Sequence, residues 1–316
     1  MNNKILKDGI DLHIHTTKSH GMRTVEETIK DAEDENLRAI AITDHNTFAI
    51  KEPRKVNDLE VIPGAEFSTL YKNKSGKVIE IHIVGIFFNG INDKISGIFD
   101  NLHTQREKYI KAIMSKLQEL GVNITYEDLI THYKDSDQIG RPQIAHLILE
   151  RGYASSIDEA FDKYIGNYSP YFIDPLDFIH YMDMDKCVKL ISENGGIPIL
   201  AHPYHYNFTY EEIEDLIRDF KKASENKVAA MEVYYIKYDE NKRNTLKTLT
   251  QKYGLLSSAG SDRHKKTDSF THEPYTLIEE MKNALNKTAI EASTESIHKN
   301  RKCNQTMEPD EIPEDI

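Results

Sequence analysis

The sequence predicts an α/β protein built on a barrel-like parallel sheet, with a small helical domain inserted into it. Short apolar, β-branched runs repeatedly end in polar clusters and lead into helix-like patterns, which is the rhythm of βα units. Such runs occur at 9–14, 38–43, 60–66, 78–88, 196–201, 228–234 and 255–259. Between 88 and 196 the rhythm stops and helical periodicity replaces it.

In chain order, the first four runs form the first part of the barrel. The interval then holds helical patterns at 98–120, just after Thr125, at 142–151 and at 157–164, followed by one at 185–194 that belongs to the barrel again. The economical division is a discontinuous barrel, 1–97 and 182–290, with an inserted helical lid domain at 98–181 that caps the barrel mouth. From 291 to 316 the chain turns polar and ends in EPDEIPEDI, a composition that predicts a disordered tail. In a sheet of this kind the polar residues at the strand C-termini build the site, and the opposite face serves stability.

Composition narrows the function classes. With 316 residues, 39% hydrophobic and 29% charged, the chain can bury a sizeable core. No run approaches the roughly 18 apolar residues of a spanning helix, and MNNKILKDGIDLHIH lacks a signal-like apolar stretch, so the expectation is a cytoplasmic protein with no membrane partner. Cys187 and Cys303 are the only cysteines, too few for a disulfide framework or a thiolate zinc site. Any metal must be held by imidazole and carboxylate. A net charge of -12 argues against long duplex nucleic acid but leaves a small anionic substrate open. Two or three bound dications would add about +4 to +6 at the site itself.

Fourteen histidines are present, half of them at or just beyond the ends of the candidate strands. In DLHIHTTKSHG, His13 and His15 are two apart on a strand and leave from one face, with His20 shortly after. Asp262 and His264 repeat that spacing in GSDRH. AITDHNT supplies Asp44 and His45, PGAEFS supplies Glu66, EIHIVG supplies His82, and ILAHPYHY supplies His202 and His205. A lone histidine is ordinarily a hydrogen-bonded core or surface residue. So many at one sheet edge, together with Glu66 and Asp262, would be a costly accumulation of buried polar groups unless metal ions paired them.

These motifs, in this order, resemble the PHP (polymerase and histidinol phosphatase) superfamily, and the resemblance runs from about residue 9 to 270. It implies a distorted (β/α)7 barrel that binds two to three divalent metals, with Mn, Fe or Zn suited to such ligands. Position by position it implies His13, His15, Glu66 and Asp262 as ligands of the first metal. Glu66, His82 and His202 follow for the second, and His20, His45 and His264 for the third. The closest branch carries a helical insertion and acts on small nucleotides and RNA ends. GRPQIAHLILERG resembles its insertion motif, in which Arg141 would meet substrate phosphate. His205, standing where arginine is common, is the other expected substrate contact.

The implied activity is hydrolysis of a phosphate ester of a nucleoside 3′,5′-bisphosphate, a nucleoside monophosphate or a short RNA 5′ end by a metal-bridging hydroxide. Asp44 or His264 would assist the leaving oxygen, although Asp44 could equally be a hydrogen-bonding support for its neighbours. Glu232 either orients a ligand or faces solvent. Tyr204, Tyr206, Tyr234 and Tyr235 could stack on a base or simply pack. His103 and His132 read as ordinary polar residues, and Arg263 as half of a structural ion pair. The alternatives are a histidinol-phosphate phosphatase and a non-catalytic, metal-stabilised structural or regulatory PHP module.

Overall fold

A computed structural model describes residues 8–305 except 135, 137 and 138, with side chains described through residue 291. The barrel strands are β1 (Gly9–Ile14), β2 (Ala39–Ile42), β4 (Leu59–Lys72), β5 (Val78–Ile86), β7 (Ile197–Leu200), β8 (Ala230–Tyr235) and β9 (Leu256–Gly260), in the spatial order β1-β2-β4-β5-β7-β8-β9. Beyond β9 the chain turns back onto β1. Asp262 N–H donates to the His13 carbonyl at 2.9 Å and His15 N–H to the Arg263 carbonyl at 3.0 Å, which draws the sheet's two edges together. Short strands β3 (Arg54–Val56) and β6 (Met182–Asp183) pair with β4, and β10 (Glu273–Pro274) pairs with β1.

The α/β barrel matches the expected fold class, with one correction. The sheet is not wholly parallel, because β5 runs antiparallel to both β4 and β7. The physical reason lies in the link between β4 and β5. Residues 73–77 close a tight turn through Gly76 N–H to Asn73 O and Asn73 N–H to Lys77 O, and Gly76 sits at φ +85. A link this short makes a hairpin, since a parallel return needs a crossover of a dozen or more residues. The third strand also continues past Glu66 to Lys72, so Glu66 lies inside a strand and not at its end.

Every barrel strand contributes to one apolar cluster: Leu12, Ala41, Ile62, Val84, Ile199, Ala230 and Ala259, packed with Ile278 and Met281 of α10 (Thr276–Gln305). The outer face is covered by amphipathic helices. On α1 (Val25–Asp34), Ile29 and Ala32 face the strands, and the helix starts at a capping box of Thr24 and Glu27. After α7 (Met184–Glu193) comes α8 (Tyr210–Ala223), which buries Ile213, Leu216, Ile217 and Phe220 behind a Thr209–Glu212 capping box. Next, α9 (Glu240–Tyr253) ends at Gly254 in the left-handed conformation. Because α10 runs to Gln305, helix occupies part of the stretch read from sequence as a tail; residues 306–316 lie outside the described residues. No helix of the described residues is long and apolar enough to cross a membrane.

Between β5 and β6 the chain forms α2 (Asp93–Ser96), α3 (Asp100–Glu119), α4 (Tyr126–His132), α5 (Arg141–Glu150) and α6 (Ile157–Ala160). Tyr109, Ile113, Met114 and Leu117 of α3, Leu129 of α4, and Ile144 and Ile148 of α5 form a separate apolar core. Leu102 belongs to the edge of this core and of the barrel's, so α3 joins the two. At the start of α5, Gly140 takes the cap position, Pro142 lies in the first turn, and Gln143 Oε1 accepts from Gly140 N–H at 3.0 Å.

Candidate metal centre

Glu66 is the hub. Its side chain is fully buried, yet imidazole nitrogens surround both carboxylate oxygens. Oε1 lies 2.8 Å from His82 Nδ1 and 2.9 Å from His202 Nε2. Oε2 lies 2.8 Å from His45 Nδ1 and 3.3 Å from both His13 Nε2 and His15 Nε2. The strands explain the convergence: His13 and His15 share one face at the end of β1, and a bridge aligns His45 with Glu66. His82 is mid-strand because β5 is antiparallel, which puts its first half on the site side.

Asp262 completes the inner group, with Oδ1 3.1 Å from His15 Nε2 and Oδ2 accepting from the Tyr235 hydroxyl at 3.0 Å. Three residues here hold left-handed backbone without being glycine: Asn46 at φ 45, His202 at φ 29 and Asp262 at φ 54. Each such turn costs on the order of 1–3 kcal/mol and needs surrounding structure to hold it. Asn46 shows how, since its side-chain oxygen accepts from Ser68 N–H, its amide donates to Ser68 Oγ, and its own N–H donates to the Glu66 carbonyl.

Glu232, left open by the sequence, does not face solvent. It is 1% exposed; Oε1 lies 2.6 Å from His13 Nδ1 and Oε2 accepts from His202 N–H at 2.7 Å. With Nδ1–H donated to Glu232, His13 presents the Nε2 lone pair to the centre, the usual arrangement of an orienting carboxylate behind a metal-binding histidine. Gly260 makes room for it, because a Cβ there would fall 2.4 Å from Glu232 Oε1. Asp11 was not singled out from sequence. Its buried carboxylate accepts from the backbone N–H groups of His13, Ser261 and Thr271 and anchors the end of β1. The available signal was a charged residue two before His13 within an apolar strand.

The electrostatics show what the cluster demands. Burial alone would raise the Glu66 carboxyl, but His45, His82 and His13 hold it well below the usual range. Burial works against charging His15, yet its bonds to Asp262 and Glu66 raise it to about 9; for His82, Glu66 overcomes burial and raises it to about 10. Burial holds His45 down to about 3 and His264 down to about 4. The buried Glu66 and Glu232 and the half-buried Asp262 thus draw positive charge into a pocket of nitrogen lone pairs. Glu66 Oε2 is buried with no well-formed hydrogen bond, and His13 Nε2 and His15 Nε2 face one another at 3.1 Å. A divalent cation answers all of these at once.

Three groups bring their ligand atoms within 4.8 Å of one another: His13, His15, Glu66 and Asp262; His45, Glu66 and His82; and His15, His45 and His264. The first coincides with the set expected for the first metal. The second brings in His45 where His202 was expected, while His202 still touches Glu66. The third contains His15 in place of His20. His20 has its ring centroid 5.2 Å from that of His45, but its Nε2 is directed at Gly140, where a Cβ would come within 2.8 Å of it.

The other expected site residues are placed as follows. Both Asp44 oxygens are occupied: Oδ1 accepts from Thr16 N–H, Ser19 N–H and Ser19 Oγ, and Oδ2 accepts from Thr16 Oγ1 at 2.7 Å. The residue staples the loop after β1. His264 donates Nδ1–H to the Asp262 carbonyl at 2.9 Å, which leaves a lone pair on Nε2. His205 lies exposed at the rim, stacked on His202 at 4.7 Å. Arg141 turns into the helical insertion, bonded to Asn167 Oδ1 at 2.6 Å and to the Ile165 carbonyl at 3.4 Å. The Tyr206 and Tyr235 hydroxyls donate to the Ala201 carbonyl and to Asp262, and the Tyr235 ring is fully buried, so it has no exposed face for a base. Arg263 pairs with Asp31 at 2.9 Å, as expected.

Comparison with known proteins agrees with this geometry. The 5'-3' exoribonuclease Rnm of Escherichia coli K12 is 28% identical over 261 residues, covering 81% of this chain and 85% of that protein. The 3',5'-nucleoside bisphosphate phosphatase of Chromobacterium violaceum is 24% identical over 259 residues, covering 81% and 87%. A solved structure from Bifidobacterium adolescentis, assigned as a metal-dependent phosphoesterase, shares the fold with a TM-score of 0.68 at 21% identity, over 87% of this chain and 95% of that one. The PHP domain profile matches residues 11–168, half of the sequence, and the chain therefore belongs to the PHP family.

Proposed function

We propose that this PHP protein is a metal-dependent phosphoesterase that binds two to three divalent ions and hydrolyses a phosphate ester of a nucleoside 3′,5′-bisphosphate or a short RNA 5′ end. The convergence of five imidazoles on the buried Glu66 carboxylate carries the reading. Relatives that act on a nucleoside bisphosphate and on RNA supply the substrate class. Divalent ions such as Mn, Fe or Zn, when bound, supply Lewis acidity toward phosphoryl oxygens and an attacking water ionised at neutral pH.

The protein's part is positional. Glu232 fixes the His13 tautomer, and the Tyr235 hydroxyl fixes Asp262 Oδ2 so that Oδ1 faces the centre. Glu66, with both oxygens among imidazoles and a place in two of the ligand groups, would hold the ions together with those histidines. His264 keeps its lone pair outward on Nε2 and serves as a ligand rather than a proton donor. Asp44 acts through the loop it staples, not on the substrate. His205 at the rim is the substrate contact on the barrel side. Arg141 reaches a phosphate only by exchanging its bond to Asn167.

The test is kcat/KM at fixed Mn²⁺ for adenosine 3′,5′-bisphosphate, adenosine 5′-monophosphate, short 5′-phosphorylated oligoribonucleotides and histidinol phosphate. Preference for the bisphosphate or the oligoribonucleotides is expected. Preference for histidinol phosphate rejects the substrate class, and no phosphate release from any of them leaves the non-catalytic module.

A further inference from the structure

The ladder between β5 and β7 is interrupted at the residues that carry two of the candidate ligands. These antiparallel strands pair Ile83 with Leu200 and Val84 with Ile199, so the same register sets His82 opposite Ala201, with His202 next in the chain. Opposed residues of an antiparallel pair exchange either both backbone hydrogen bonds or none. Here one is direct, from Ala201 N–H to the His82 carbonyl at 3.2 Å. The reciprocal one is not: His82 N–H donates to the Tyr206 hydroxyl at 2.9 Å, and that hydroxyl donates to the Ala201 carbonyl at 3.0 Å. A phenolic oxygen therefore stands inside the rung, and two hydrogen bonds in series replace a single one of about 2.9 Å.

Tyr206 reaches this position by a short local path. His202 turns the chain at φ 29, Pro203–Tyr206 makes one tight helical turn with His205 N–H on the His202 carbonyl at 2.8 Å, and Asn207 turns it again at φ 53. The Tyr206 ring packs on the apolar cluster behind the site, 5.7 Å from the His202 ring. The peptide joining Ala201 to His202 is thereby held at both ends, its carbonyl by Tyr206 and its N–H by Glu232 Oε2 at 2.7 Å. His82 Nδ1 and His202 Nε2 meet at Glu66 Oε1, at 2.8 and 2.9 Å, with their rings 5.3 Å apart and crossed at 77°. Closing the rung to a direct bond would draw the two backbones, and with them the two imidazoles, together over one carboxylate oxygen.

We propose that Tyr206 is a positioning residue of the metal centre: its hydroxyl, inserted between β5 and β7, sets the spacing of His82 and His202 for one divalent ion held with Glu66. The assignment rests on the metal-binding part of the function proposed above and is independent of the substrate. Tyr206 acts through two backbone groups, the His82 N–H and the Ala201 carbonyl.

The experiment titrates Co²⁺ alone into metal-free wild type, Tyr206→Phe, His82→Ala and the double variant, read by calorimetry and by visible absorption. Tyr71→Phe, which loses a hydroxyl bonded to Asp219 at 2.9 Å, is the control deletion elsewhere on the sheet. In Tyr206→Phe one binding step is expected to weaken ~10–100-fold, the scale of an outer partner of a metal ligand, and its absorption band to change. The other steps, and all steps of Tyr71→Phe, should match wild type. In the His82→Ala background the Tyr206→Phe substitution should weaken that step little further, whereas a merely structural loss would add in full. Amide exchange tests the rung in wild type without any substitution, and so decides the case of a Tyr206→Phe chain that does not fold. His82 N–H is expected to be protected and to exchange more slowly still with Co²⁺ bound; exchange at an open-loop rate, or no response to Co²⁺, would overturn the proposal. Wild type that takes up no Co²⁺ overturns the metal centre itself. Wild-type uptake with every step unchanged in Tyr206→Phe, or full additivity with His82→Ala, overturns the Tyr206 assignment alone.

Discussion

Replacing Glu232 with glutamine removes one of two acceptors that the structure uses at once. Oε1 holds His13 Nδ1 at 2.6 Å and Oε2 holds His202 N–H at 2.7 Å, and an amide keeps only one acceptor oxygen. Either His13 loses its tautomer lock or the backbone entering the left-handed turn at His202 loses its partner. A hydrogen bond to a charged group contributes about 1.5–3 kcal/mol, and a buried donor left unpaired costs about 1–3 kcal/mol. Because Glu232 touches only groups behind the centre, the loss should appear in metal affinity, by about 10–100-fold, the usual effect of removing an orienting partner. The assay is competition with a chromophoric chelator at pH 7.5, alongside denaturant unfolding with and without metal. Glu232→Gln binding metal as tightly as wild type would refute the argument that His13 is oriented from behind.

Asp44→Ala strips the acceptor from four donors on Thr16 and Ser19, so denaturant unfolding should show a loss of about 3–5 kcal/mol; a loss under 1 kcal/mol would mean that the loop is held by other contacts. Metal uptake should release protons at pH 7, because His15 and His82 are raised to about 9 and about 10 in the metal-free chain and must be neutral to bind. Affinity should therefore climb as pH rises from 7 toward 9 and weaken toward acid, and titration in buffers of different ionisation enthalpy checks it. Arg141→Ala should lower the melting temperature of the helical insertion through loss of the Asn167 bond while metal content stays at the wild-type level. A large loss of kcat/KM without loss of stability would show instead that Arg141 swings to the phosphate.

The barrel was legible because strand runs and polar ends alternate in the sequence, and the ligand cluster because histidine spacing at strand ends survives any uncertainty in exact boundaries. Period-2 spacing put His13 and His15 on one face, and the resemblance to the PHP superfamily joined Glu66 and Asp262 to them, the group whose ligand atoms lie together in the structure. What sequence could not decide was direction and orientation. The direction of β5 depends on the five-residue turn at 73–77, and an apolar run reads the same for either direction. Glu232 carries no local mark of facing His13 rather than solvent, since that contact joins strands more than 200 residues apart. Arg141 begins a helix beside His20, but its side-chain direction is set by Asn167, which no motif announces.

The central claim is that Glu66 gathers the histidines around catalytic metal. Elemental analysis and phosphate release from adenosine 3′,5′-bisphosphate, measured on wild type and Glu66→Gln after metal-supplemented expression, test it most directly. Two to three equivalents and chelator-sensitive phosphate release are expected for wild type, with Glu66→Gln folded but depleted of metal and inactive. Less than one equivalent in wild type, or full activity in Glu66→Gln, would contradict it.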